Sequence, residues 1–311
     1  MKAARIHHYG PPEVVAIEEI PQPNPGPGEL LIRVGAAGVG PWDALIREHE
    51  SDVKATLPII LGSDLAGIVE KAGSGVSEFK DGDEVYGATN PQFIGAYAEF
   101  AIAAANMVGR KPKGMSDVEA ASVPVVAVTA WQMLFDYAKA EAGQTVLILG
   151  GAGNVGAYAV QLASHAGLQV IATASAKDAA YVKGLGAKDV LDYRGSRFEG
   201  TISGVHIVVD TVGGESRERS VRVLKPGGFL VSVVTPFPKN QTIPGIRTAF
   251  FYVEVTTARL NALTEIVEHR KLFTQVGNVL PLVQVRIAHE MLGGASHERG
   301  KIVLLVNAAV K

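Results

Sequence analysis

The stretch TVLILGGAGNVGAYAVQLASHAGLQVIATASAKDA, Thr145–Ala179, decides the fold. An apolar run of strand length, Val146–Leu149, ends in glycines at 150, 151, 153 and 156, and an alanine-rich helical pattern follows at once. A second apolar run, Val170–Thr173, completes a strand–helix–strand unit. The spacing Gly-x-x-Gly-x-x-Gly, at Gly150, Gly153 and Gly156, has the physics of a diphosphate cradle. Gly150 and Gly151 permit the tight turn, Gly153 lets backbone N–H groups approach an anion, and Gly156 lets the helix pack closely on the strand. The helix N-terminus then offers unpaired N–H donors and the positive end of its dipole. A glycine triplet alone is only a tight turn. Placed after a strand and before a helix, it predicts dinucleotide binding.

The end of the second strand bears on which dinucleotide. NAD sites place Asp or Glu about 20 residues past the glycines, to bond the ribose 2′-hydroxyl. Here the chain reads TASAKD, with Ser175 and Lys177 where a carboxylate would stand, and Asp178 only afterwards. A hydroxyl and an ammonium suit a 2′-phosphate, so the expected cofactor is NADP. The plain alternative is an ordinary surface lysine.

Outward from this unit, strand and helix patterns alternate. A helix is predicted over 126–140 and strands at 145–149, 170–173, 189–193, 206–210, 227–234 and 249–255, with helices between them. Such alternation implies a doubly wound parallel sheet. The first 120 or so residues differ: strands are predicted at 29–40, 66–71, 84–87 and 97–101, joined by glycine-marked turns. Prolines at 21, 23, 25 and 27 exclude a helix before the first of these. The tail, with helices over 258–269 and 285–292 and strands near 279–281 and 301–306, is too small to fold alone and is expected to rejoin the β-rich part. The predicted division is 1–122 with 261–311 as a β-rich domain, and 123–260 as the Rossmann domain.

Composition narrows the function. Of 311 residues, 47 % are hydrophobic and 19 % charged, and the formal net charge is −2. With no Lys/Arg-rich block, nucleic-acid and anionic-membrane partners are not expected. No apolar run approaches the roughly 20 residues of a membrane span, and the opening MKAARIHHYG lacks a leader's apolar core, so a cytoplasmic location is expected. Cysteine is absent, which removes disulfides, thiolate nucleophiles and cysteine-held metals. The eight histidines show no paired metal-ligand spacing, so no metal is expected. LKPGGFLVSV at 224–233 also suits a methyltransferase, but the acidic residue that such enzymes place after the second strand is missing.

Several segments in order carry a resemblance: GVGPWDALIR at 38–47, LGSDLAGIVEKAGSGVSEFKDGDEVYG at 61–87, GAYAEF at 95–100 and ASVPVVAVTAW at 121–131. They are followed by the glycine turn, LGAKDVLDY at 185–193, DTVGG at 210–214 and RGKIVL at 299–304. Over essentially its whole length the chain resembles the medium-chain dehydrogenase/reductase superfamily, in particular its zinc-free quinone oxidoreductase (zeta-crystallin-like) branch. The resemblance implies a GroES-like β-rich domain, nicotinamide-dependent hydride transfer and a homodimer joined through an edge strand near 249–255. It also implies a small conjugated carbonyl or quinone as substrate. In zinc-dependent relatives a cysteine and a histidine hold the metal; the matching positions are Gly40 and Ser63, neither of which can replace them. Quinone oxidoreductases usually carry Asn where this chain has Gly40, and some carry Tyr where it has Leu45, while Asp43 and Arg47 keep the pattern.

The residues assigned to catalysis are Asp43 and Thr129, by their position in the resemblance, and Trp42, by the flat apolar face it offers. The resemblance assigns Gly150, Gly153, Asn154, Val155, Gly156, Ser175, Lys177, Tyr193, Val212, Val234, Thr235 and Phe250 to the cofactor. Trp42 reads equally as a stacking wall for a flat ring or as packing, and Phe250 and Phe251 equally as buried strand residues. Tyr9 is the one internal proton-donor candidate, and His165 reads as a helix-surface residue. The expected activity is zinc-independent, NADPH-dependent reduction of a quinone. An alkenal/enone C=C reductase and a non-catalytic NADPH-binding protein are the alternatives.

Overall fold

The glycine-turn strand lies inside a six-stranded parallel sheet in the computed structural model, which describes residues 1–195, 197–238, 243–269 and 272–307. Across that sheet the strands run Asp189–Asp192, Gln169–Ala174, Thr145–Leu149, Val205–Asp210, Leu224–Ser232 and Arg247–Phe250. Chain order reverses at Thr145–Leu149, the switch point at which doubly wound sheets bind their ligands. Val146, Leu147, Ile148 and Leu149 are all fully buried, because a parallel strand covered on both faces needs a continuous apolar run. Helix Asn154–His165 turns Tyr158, Ala159, Val160, Leu162 and Ala163 inward and leaves His165 exposed.

The β-rich unit is built on the long strand Glu29–Val39, which pairs antiparallel with Asp64–Ala72, Phe100–Ala104 and Lys301–Leu305. The last pairing brings the tail of the sequence back beside the first third. Residues 1–125 with those from Val255 onward form one compact unit, and Val126–Glu254 forms the other. A separate three-stranded sheet joins Lys2–Ile6 to Ala16–Glu19 and Ile59–Ile60. No helix among the described residues is long and apolar enough to cross a membrane.

Four local expectations are corrected. The helix expected over 126–140 is α-helical only over Pro124–Trp131 and widens to a π-helix over Gln132–Tyr137, where the Ala138 N–H reaches the Met133 carbonyl. The strand expected over 249–255 stops at Phe250; Phe251 leaves the ladder, is 6 % exposed and stacks on Tyr137 at 4.3 Å. The strand expected over 97–101 is Phe100–Ala104, with Ala98 held by a single bridge to Ala3. Short helices, Pro41–Arg47 and Asp117–Ala121, which the sequence reading does not place, interrupt the unit expected to be mostly β and rich in turns. In each of the first two the apolar pattern is right and the backbone path is set by packing that local propensity does not encode.

Candidate active site

In the nucleotide unit the glycine turn is shaped by its backbone. Gly150 has φ +79°, a conformation that disfavours any side chain. A Cβ on Gly156 would lie 2.1 Å from the Gly150 carbonyl oxygen, so only glycine lets the helix start this close to the strand. The Gly151 N–H donates to the Thr173 carbonyl at 2.8 Å and the Gly150 N–H to Thr173 Oγ1 at 3.0 Å, tying the turn to the neighbouring strand. Gly153 is the exposed N-cap of helix Asn154–His165, and Asn154 and Val155 begin its first turn. The Gly153 N–H donates to the Gly150 carbonyl at 2.9 Å, so the glycine amides shape the turn and the first turn of helix Asn154–His165 is what faces a diphosphate.

The other cofactor candidates gather at the same C-terminal edge of the sheet. Ser175 and Tyr193 directly follow the paired strand ends Ala174 and Asp192. Lys177 is exposed, and Tyr193 is 46 % exposed with the Arg194 guanidinium 5.4 Å from its ring centroid. Asp178 accepts a hydrogen bond from Ser175 Oγ at 2.5 Å, so a carboxylate lies closer to this edge than its place in the sequence suggests. Val212 and Val234 are 50 % and 42 % exposed, at the ends of adjacent strands. Asp210, which sequence reasoning passed over, organises both. Its Oδ1 accepts from the Val212 and Gly213 N–H groups at 3.1 and 2.7 Å, and its Oδ2 from Ser232 Oγ at 2.7 Å. Thr235 is gripped by Arg217, whose Nη1 donates to its carbonyl and its hydroxyl. Phe250 is half-buried on the edge strand and meets Tyr252 edge-on. Thr129 is 5 % exposed within helix Pro124–Trp131.

In the β-rich unit, helix Pro41–Arg47 carries Trp42 and Asp43, and the Asp43 side chain caps it by accepting from the Gly40 N–H at 2.8 Å. The same oxygen accepts from the Tyr97 hydroxyl at 2.8 Å, while Oδ1 is buried with no partner among the described residues. Asp43 is fully buried, and burial pushes its carboxyl up to about 7 against the opposing hydrogen bonds from Gly40 and Tyr97. Burial and the Asp43 carboxyl hold the Tyr97 hydroxyl well above the usual phenol value. Trp42 is half-buried; its indole N–H donates to Ser63 Oγ at 3.0 Å. Lys301 Nζ lies 4.2 Å from the Trp42 ring centroid and 2.9 Å from Asp64 Oδ2. Asp64 Oδ1 accepts from the Val125 N–H at 3.0 Å, and burial raises this carboxyl too, partly offset by Lys301.

Arg47 is buried behind the helix. It donates to the Gly10 carbonyl at 2.9 Å and to His289 Nδ1 at 2.6 Å, and it pairs with Glu48. A guanidinium only donates, so the His289 proton sits on Nε2. Burial, then Arg47, pushes His289 down to about 3, and the ring is neutral. Neither His289 nor the Asp64–Lys301 pair was singled out from the sequence. RGKIVL was noted as a motif, but nothing in it says what its lysine meets. The Tyr9 hydroxyl is turned to the Ala55 carbonyl at 3.3 Å and its ring stacks on His49 at 4.2 Å.

A zinc ion does not fit the positions that hold it in metal-dependent relatives. Gly40 has no side chain, Ser63 Oγ takes the Trp42 N–H, and Asp64 is committed to Lys301 and Val125. A Cβ on Gly40 would lie 2.3–2.4 Å from the Trp42 ring atoms, so the indole fills the space a ligand side chain would need.

Comparison with known proteins agrees with this architecture. Residues 26–113 match the family model "Alcohol dehydrogenase GroES-like domain" and residues 185–304 match "Zinc-binding dehydrogenase". Human quinone oxidoreductase is 30 % identical over 324 residues, covering 98 % of this chain and 98 % of that one. A 2-methylene-furan-3-one reductase of Solanum lycopersicum is 36 % identical over 251 residues, 76 % of this chain and 63 % of the relative. A mycobacterial protein solved in complex with NADPH superposes with a TM-score of 0.87 at 30 % identity, over 98 % of this chain and 100 % of that one. Strand order, glycine turn and these likenesses together make the chain a member of the medium-chain dehydrogenase/reductase superfamily, in its zinc-free quinone oxidoreductase branch.

Proposed function

We propose that this NADPH-dependent oxidoreductase reduces a quinone without a metal ion. The observation that carries the reading is the indole of Trp42 on Gly40, filling the position from which relatives present a polar or metal-binding side chain. An acceptor here meets an apolar ring and no Lewis acid, so it must be electrophilic already; a conjugated dicarbonyl is. NADPH supplies the hydride when bound. The glycine turn holds its diphosphate, Asn154 and Val155 flank that group, and Ser175, Lys177 and Tyr193 select the 2′-phosphate. Val212, Val234, Thr235 and Phe250 line the nicotinamide side, and Thr129 contacts the same ring. Trp42 offers the acceptor a flat surface. Asp43, being fully buried, acts as a positioning residue that fixes the Gly40 turn and the helix carrying Trp42. Water supplies the proton, since the Tyr9 hydroxyl is engaged with a carbonyl.

The β-rich unit is then the catalytic domain and the parallel-sheet unit the NADP-binding domain. Pairing through the outer edge of Arg247–Phe250, the last strand of the sheet, makes a homodimer, because an unpaired strand edge invites association. An enone reductase is the second reading: an enone needs the same flat, metal-free acceptor surface, and the Solanum relative is a reductase of that kind by name.

The test is NADPH consumption by chelator-treated protein against ortho- and para-quinones, an enal, an enone and a simple aldehyde, with NADH in parallel. Quinone turnover favouring NADPH by about tenfold to a hundredfold is expected. Turnover confined to the enone moves the reading to a C=C reductase. Tight NADPH binding with no turnover makes the chain a non-catalytic binder.

A further inference from the structure

Three restraints meet on one side chain, and none of them is adjacent to it in sequence except Gly40. The Trp42 indole N–H is held by Ser63 Oγ at 3.0 Å. Its ring rests on the Cα of Gly40, where a Cβ would clash at 2.3–2.4 Å. Lys301 Nζ sits 4.2 Å from the ring centroid, and that ammonium is itself fixed by Asp64 at 2.9 Å, with both side chains at 2 % exposure or less. A lysine has a long flexible stem and is ordinarily a surface residue. Here it is buried with its charge divided between a carboxylate and an aromatic face, an attraction strengthened by desolvation. The Asp64 carboxylate is itself held, its other oxygen accepting from the Val125 N–H. Trp42 nevertheless remains half-buried, so part of the ring stays open to solvent.

An indole held this way loses little freedom when a flat molecule stacks on it. A small acyclic acceptor, with no extended π-face, gains much less from the same surface. We infer that Ser63 and Lys301 are positioning residues that immobilise Trp42, and that the immobilised indole sets the preference for flat, ring-conjugated acceptors over acyclic ones. The inference rests on the proposed reading that the acceptor contacts Trp42.

The experiment uses the full chain with Trp131→Phe, which leaves Trp42 as the sole tryptophan of the two. Its readouts are the ratio of kcat/KM for a para-quinone to that for an acyclic enal, and the anisotropy of Trp42 emission. Ser63→Ala removes the indole's acceptor without touching a charge, and Lys301→Met removes the cation. Each is expected to lower the ratio by about five- to tenfold, through the quinone KM more than kcat, and to lower the anisotropy. Lys301→Arg keeps a cation over the ring and restores the ratio to within about twofold. Should Lys301→Met fail to fold, Ser63→Ala decides alone. Trp42→Ala separates the two levels. If it leaves the ratio unchanged, the acceptor does not contact the indole and the underlying reading fails. If it collapses the ratio while Ser63→Ala and Lys301→Met leave ratio and anisotropy unchanged, the positioning roles are overturned and the reading stands.

Discussion

At the edge of the parallel sheet, the proposed diphosphate site is one contiguous turn, Gly150 to Asn154, in which three of the five residues have no side chain. Around Trp42 the opposite holds: the adjacent pair Ser63 and Asp64 meets Lys301 from a distant strand, Asp64 and Lys301 lying 237 positions apart. A contiguous backbone device tolerates change in its surroundings but not in its own atoms. A site assembled from distant side chains can be altered at any of its members, and adjusts through the others. The difference predicts where each site breaks.

The largest effect is expected at the turn. Gly156→Ala puts a methyl group 2.1 Å from a backbone oxygen that cannot yield without reshaping the turn. NADPH affinity should fall by about a hundredfold or more, roughly 3 kcal/mol, read by titration of cofactor fluorescence. An unchanged Kd would show that the turn does not hold the cofactor. Next comes Gly40→Asn, which must displace the indole. Stability is expected to fall by about 1–3 kcal/mol, the ordinary range for overpacking, and quinone turnover with it. The double variant Gly40→Asn/Trp42→Ala should recover most of the stability, and simple additivity of the two in a denaturant-unfolding cycle would sink the contact. A smaller change is expected for Lys177→Ala, about tenfold off the NADPH-over-NADH ratio, from the loss of one charge-assisted bond. Asp178→Asn should move that ratio the other way, because Asp178 places a carboxylate beside Ser175.

The fourth expectation is of two opposed contributions. The folded chain keeps the Asp43 proton up to about pH 7, whereas the unfolded chain releases it near the ordinary value of 3.8. Stability from this group is therefore full below about pH 4 and is lost as pH rises toward 7. His289 has the opposite sign: folded it binds a proton only near pH 3, unfolded near 6.5, so its contribution is full above 6.5 and is lost as pH falls toward 3. Between about pH 4 and 6.5 the two slopes, each at most about 1.4 kcal/mol per pH unit, oppose one another. Relative to the unsubstituted protein, Asp43→Asn should lose stability on acidification through that window, and His289→Asn on alkalinisation. Melting temperatures at half-unit pH intervals, relative to the unsubstituted protein, would show whether the opposed slopes exist.

The contrast also explains what could be read from the sequence. The strands of a parallel sheet and the glycine turn were legible because hydrophobic runs and glycine spacing are local, and the missing carboxylate after the second strand was legible for the same reason. The replacement of ligand types at Gly40 and Ser63 was visible too, but not what fills the space they leave. Trp42 could equally have pointed away; its direction depends on Ser63 and Lys301, which no short-range pattern links to it. Asp43 was read as catalytic from its place in a motif, whereas its burial comes from Tyr97 and neighbouring strands. The π-helical turn at Gln132–Tyr137 escaped for a similar reason: the Gln132 side chain accepts from the Glu254 N–H at 2.9 Å, a tertiary bond made far along the chain.

Strand Lys301–Leu305 has a consequence for biosynthesis. The nucleotide unit is a single uninterrupted segment, Val126–Glu254, and can fold once it has left the ribosome. The β-rich unit begins to emerge first yet finishes last, since Glu29–Val39 waits for its partner at 301–305. Throughout that interval one side of Glu29–Val39 is unpaired over Ala36–Val39 and the indole lacks its cation. A nascent chain halted before residue 301 would carry a completed cofactor fold beside an open β-edge, the kind of species that chaperones bind and that aggregates when they do not.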